Sequence, residues 1–151
     1  MKVVENRDLF QSLMGFWEET FAGGCPSIYP GMKDDFTAES TWVELQVPSC
    51  LEMPSSHVGL KSMRFLLDVH CFAKRGTDLK TMPLLVDATR DAVSRRVWAV
   101  RDFAEEAKPA VGYARMGDVE VRDLSRIEQR VLKSELQHVL VSARGIAQMM
   151  Q

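Results

Sequence analysis

The stretch LKSMRFLLDVHCFAK, Leu60–Lys74, decides the fold. Met63, Phe65, Leu67, Val69, Cys71 and Ala73 recur at every second position and form one row. Arg64, Asp68, His70 and Lys74 occupy the other row, with Leu66 and Phe72 among them. Successive side chains of a strand point to opposite faces, so the first row faces a core and the second is partly covered. This is the pattern of a central strand. Arg75-Gly76 ends it.

Upstream, Thr41, Val43, Leu45 and Val47 alternate with Trp42, Glu44 and Gln46, which predicts a strand over residues 39–47 with one buried face. Pro48 and Pro54 bound a loop over 48–56. A short extended piece at Ile28-Tyr29 lies in a loop with Pro26, Pro30 and Gly31. Before it, Leu9, Phe10, Leu13, Met14, Trp17 and Phe21 recur at three- and four-residue spacing, the mark of an amphipathic helix capped by Asn6 and stopped by Gly23-Gly24.

Downstream, Pro83 is tolerated only in a first turn, so a second helix begins near Thr81. Its stripe of Leu85, Val86, Thr89, Ala92, Val93, Val97, Val100 and Phe103 favours helix throughout, although Val97, Trp98 and Val100 also suit a short strand. Residues 111–123 read as extended, with Gly117-Asp118 as a turn or bulge. Residues 124–135 are open between a loop and a helical turn. Residues 136–147, LQHVLVSARGIA, form a last strand that is apolar on both faces, and 148–151 are a tail. Short connections in this order imply one domain, 1–151, of the α+β class. It is a two-layer sandwich with a mixed, mostly antiparallel sheet of four to five strands and two helices on one face.

The 151 residues suffice for a core without metal or disulfide staples. With 46% hydrophobic residues the chain is too apolar for disorder. A net charge of −2 argues against wrapping nucleic acid as the main task. Cys25, Cys50 and Cys71 are odd in number and share no CxxC spacing, which fits a reducing cytosol better than a secreted framework. Residues 1–10 mix charges with apolar positions and form no signal peptide, and no apolar run approaches the roughly 20 residues of a membrane span.

Few side chains in the sequence stand in a pattern that suggests chemistry. His70 and Cys71 are adjacent on a strand and point to opposite faces, so they cannot share an ion; His57 and His138 lie elsewhere. Cys71 beside His138 is the one nucleophile pair to name, set against Cys71 as a small apolar filler. No GxSxG, P-loop or GxGxxG occurs. The expectation is therefore no catalytic residue, no metal and no cofactor. Arg90, Arg95, Arg96 and Arg101 form a charged surface, either a basic face for DNA or a solvated face with Asp87, Asp91 and Asp102. A two-faced strand at a sheet edge invites pairing with another chain, which makes Leu136, Val139 and Val141 candidate intersubunit contacts. Met149 and Met150 join them for want of an obvious core.

The run RFLLDVHCFAKRGTDLKTMPLLVDATRDAV, residues 64–93, resembles the middle of the tail terminator proteins of long-tailed bacteriophages. There a strand ending in His70-Cys71-Phe72-Ala73-Lys74 leads into a helix, here residues 85–88. The closing LQHVLVSARGIAQ, residues 136–148, is similar to the family's last strand, and the opening helix and Pro-containing loop 26–31 keep its order. Residues 104–135 match least. The resemblance implies a virion protein, assembled in the host cytoplasm. Copies of it close into a six-membered ring that caps the tail tube, stops its polymerisation and meets the head-completion complex, while DNA passes through the hole. The alternatives are a small cytosolic ligand-binding or hydrolytic enzyme with a pocket near His70, Cys71 and His138, and a bacterial adaptor or chaperone-like module.

Overall fold

Two long strands form the spine of the computed structural model, which describes residues 6–32, 38–54, 58–74, 76, 78–94, 96–125 and 136–150. β3 (Leu60–Lys74) runs antiparallel to β6 (Leu136–Met150) in unbroken register, from Leu60 opposite Met150 to Lys74 opposite Leu136. On the far side of β3 lies β2 (Thr41–Met53), with the two-residue β1 (Ser27–Ile28) parallel to its start. On the far side of β6 lies β5 (Ala110–Asp123), flanked by the short β4 (Val97–Arg101). The order is β1-β2-β3-β6-β5-β4, and every pairing except β1 with β2 is antiparallel.

The class is α+β, with six strands where the sequence suggested four to five. The two helices, α1 (Asn6–Thr20) and α2 (Thr81–Val93), share one face of the sheet. The row Met63, Phe65, Leu67, Val69, Cys71 and Ala73 is buried beneath them, as its alternation requires. Trp17, Leu9 and Leu13 of α1 and Leu85, Ala92 and Val93 of α2 close the core from above. Burying such side chains supplies about 1.5–3 kcal/mol each before the entropy of ordering is counted.

α1 is tied to both edges of the sheet. Near its start, Asp8 Oδ1 accepts from the Phe103 N–H at 3.1 Å and Ser12 Oγ accepts from the Arg101 N–H at 2.9 Å, just past and at the end of β4. Near its end, Trp17 Nε1 donates to Ser27 Oγ at 2.9 Å, at the start of β1. These ties explain why two short edge strands hold their places.

Three expectations are corrected. The second helix stops at Val93: Ser94 turns extended (φ −72°, ψ 118°), and residues 97–101 form β4. There Trp98 and Val100 enter the core, with the Trp98 ring 5.5 Å from that of Phe16. Apolar spacing that continued a helical stripe arose from two separate elements facing one core. β2 does not end at Pro48 but continues to Met53, with a register irregularity between Gln46 and Ser49. β1 pairs only with Val43 and Glu44, so the proline falls on an edge where a missing donor costs no ladder bond. Finally, β6 reaches Met150 and is paired on both sides; it is an interior strand, not an edge.

Gly145 shows how closely this spine packs. It sits opposite Phe65, and a Cβ built at Gly145 would fall on the Phe65 ring. Gly15, in α1, has open space around its Cβ position. Gly145→Ala is therefore expected to destabilise the fold by roughly 1–3 kcal/mol through overpacking. Gly15→Ala is expected to stabilise it by roughly 1 kcal/mol through helix propensity. Urea titrations of the two variants measure both.

Candidate interaction surface

The face of the sheet turned away from the helices divides into two halves of different chemistry. At the end where β3 finishes, rings close over the strands. Trp42 lies 5.3 Å from Phe72 and Phe72 lies 4.4 Å from His138, centroid to centroid, across three neighbouring strands. His70 Nδ1 and His138 Nε2 are 2.8 Å apart, so one nitrogen donates and the other keeps its lone pair. His138 is buried, and its N–H donates to Ser125 Oγ at 2.9 Å. In the next rows Ser142 Oγ donates to Asp68 Oδ1 at 2.6 Å, with Glu44 and Glu120 on the same face.

The other half is built differently. Register places Leu51 beside Arg64, Arg64 beside Ile146, Ile146 beside Arg115 and Arg115 beside Val97. One row across five strands thus alternates apolar and guanidinium side chains. At the usual strand spacing it spans roughly 19 Å. The row on one side is Ser49, Leu66 and Arg144; the row on the other is Met53, Ser62, Gln148, Tyr113 and Ala99. No carboxylate occurs among the paired residues of these three rows, and Gly117-Asp118 fall in the irregularity of β5 opposite Arg144. Leu51, Tyr113 and Met150 are 62%, 61% and 67% exposed, and Arg64, Arg115 and Arg144 are exposed with no ion pair among the described residues.

The residues singled out in the sequence separate in space. Cys71 is buried on the helix side, its Sγ 3.5 Å from Thr89 Oγ1, whereas His70 and His138 lie on the opposite face. Those three side chains cannot line one pocket, and Cys71 and His138 form no nucleophile pair. The recesses of the molecule lie elsewhere. An apolar one of about 230 Å³ is bounded by Phe10, Leu13 and Met14 of α1 and by Tyr29, Leu45 and Val47 among others. Among the described residues no three His, Cys, Asp or Glu converge as a metal site, and no helix is long and apolar enough to cross a membrane.

Of the expected intersubunit contacts, Val139, Val141 and Met149 are buried in the core, which leaves them no surface for a neighbour. Leu136 is half-buried and Met150 is exposed. Arg90, Arg96 and Arg101 are exposed but do not share one helix: Arg90 is on α2, Arg96 precedes β4 and donates to the Asp91 carbonyl at 2.7 Å, and Arg101 ends β4. Asp102 is buried, with its Oδ1 accepting from the Ala104 N–H. Arg95, His57 and residues 126–135 lie outside the described residues.

The surface that linear reading missed is the cluster of Arg64 and Arg115 in one row with Arg144 in the next. Each arginine is unremarkable in its own segment; only the pairing of β3, β6 and β5 brings them together. No family model matches the chain, and neither does any curated protein.

Burial pushes the Cys71 thiol from its ordinary 9.0 up to about 11. A raised value means that the folded state holds the thiol neutral while the unfolded chain ionises it. The associated stabilisation is complete below about pH 9 and is lost as pH rises toward 11. In the native protein at pH 8, iodoacetamide is expected to alkylate the partly exposed Cys50 and Cys25 well before Cys71, as peptide mass mapping would show. Early labelling of Cys71 would restore it as a nucleophile.

Proposed function

We propose that the chain is a structural assembly subunit, the tail terminator of a long-tailed bacteriophage. In this reading copies of it form a ring, six-membered in the resembled family, that caps the tail tube, stops polymerisation of the tube protein and presents a surface to the head-completion complex. DNA passes through the ring without being read, and the protein resides in the virion at the head-proximal end of the tail. The observation that carries the assembly part is the uncovered row Leu51–Arg64–Ile146–Arg115–Val97. This row's exposed aliphatic and arginine side chains, with Tyr113 in the neighbouring row and Met150 beyond it, have the composition of a protein interface core. The identity of the assembly rests on the resemblance of residues 64–93 and 136–148, whose elements follow one another as strand, helix and closing strand.

Electron microscopy of the purified protein tests the ring directly, and adding the protein to polymerising tube protein tests its role. Annular particles and tubes of arrested length are expected. A monomer that leaves tube growth unchanged would refute the reading.

A further inference from the structure

We infer that the arginine-bearing half of the sheet face docks onto one particular strip of a second copy of this chain, the exposed end of β5 from Asp118 to Asp123; this rests on the ring-forming reading above. In that strip Asp118, Glu120 and Asp123 stand against Arg122 alone; register turns Glu120 and Arg122 to the outer face and Val121 and Asp123 to the helix side, so the edge carries a carboxylate on each flank. It is therefore an acidic edge, the electrostatic complement of a face that carries guanidiniums. β4 pairs with β5 only from Ala110 to Arg115, so beyond the irregularity between Met116 and Val119 this edge has no partner strand among the described residues.

Like charge disfavours laying either surface on its own copy. Face against face would bring Arg64, Arg115 and Arg144 onto their own copies, and strip against strip would bring carboxylates together. The favourable contact joins two different regions of the molecule, and in the ring-forming reading it repeats head to tail. One region is a face of the sheet and the other an edge, so each copy is turned relative to the last, which closure into a ring requires. A free acidic protein would satisfy the same face, but the complement already present on this chain is at hand in every assembly. A phosphate backbone suits it less, because Leu51, Ile146 and Val97 separate the arginines with groups that a hydrated polyanion does not cover.

The test uses two variants of the full chain, each carrying one reversed surface. The first is Arg115→Glu with Arg144→Glu; the second is Asp118→Lys with Glu120→Lys. Circular dichroism and thermal melting establish that each folds, and mass photometry reads assembly. Each variant alone is expected to weaken assembly by at least about tenfold. Mixed in equal amounts, the two are expected to assemble again, because a glutamate face then meets a lysine strip and an arginine face meets an acidic strip in alternation. If a reversal prevents folding, Arg115→Gln with Arg144→Gln takes its place and assembly is expected to weaken and lose salt dependence.

Several outcomes would overturn the inference, and they are distinguishable. Variants that each assemble like the wild type would show that ring contacts lie elsewhere and leave the ring intact as a reading. Folded variants that fail alone and also fail when mixed would show that the two surfaces do not meet. Normal assembly with lost arrest of the tube, or with lost binding of duplex DNA, would assign the arginine face to a foreign protein or to nucleic acid. A wild type that stays monomeric at every concentration and on tubes would remove the ring itself.

Discussion

The ladder between β3 and β6 is the constraint on which the rest depends. Fifteen consecutive pairs fix which residues of each strand face the helices and which do not. A slip of β6 by one position against β3 would turn Val139, Val141 and Ala143 outward and bring Leu140, Ser142 and Arg144 toward the core. The apolar row and the close fit of the Phe65 ring over Gly145 hold the register, and the register in turn sets β2 and β5 on either side. Everything on the outer face, including the arginines, is placed by this one alignment.

The outer face shows two solutions to the same problem. A two-layer α+β fold covers one side of its sheet with helices and must make the other side compatible with water or with a partner. At one end the protein closes the surface with its own rings, the Trp42, Phe72 and His138 contacts, and satisfies the polar groups through Ser125, Ser142 and Asp68. At the other end it leaves Leu51, Tyr113 and Met150 exposed between arginines. Guanidiniums keep such a surface hydrated in the free subunit and still allow close contact with carboxylates when water leaves. The difference between the halves is the main physical reason to see an assembling protein in this fold.

Much of the fold was legible in the alternation of single segments. Leu60–Lys74 was readable because period two persists over its whole length, and the first helix because its apolar spacing is uninterrupted from Leu9 to Phe21. The errors came where local pattern and tertiary placement part. Val97 and Val100 continue the helical spacing of Val93, yet Trp98 and Val100 belong to a strand that packs on Phe16. Pro48 looks like a stop, but on an unpaired edge it is tolerated. Residues 136–147 are apolar on two faces because the strand is interior, with a core on one side and the ring layer over part of the other; the same pattern suggested an edge. Met149 is buried because β6 runs to Met150, past residues 136–147 whose alternation marks the strand. The arginine cluster was not legible at all, since its members share neither a segment nor a period.

The central claim is that the bare half of the sheet is covered when copies assemble. Hydroxyl-radical footprinting of Tyr113 and Met150, compared between a dilute monomer and the assembled protein, measures that cover at the side chains concerned. Strong protection of both residues on assembly is expected, with the exposed Met32, beside Tyr29 after β1, still reactive. Equal reactivity of Tyr113 and Met150 in the two states would contradict it.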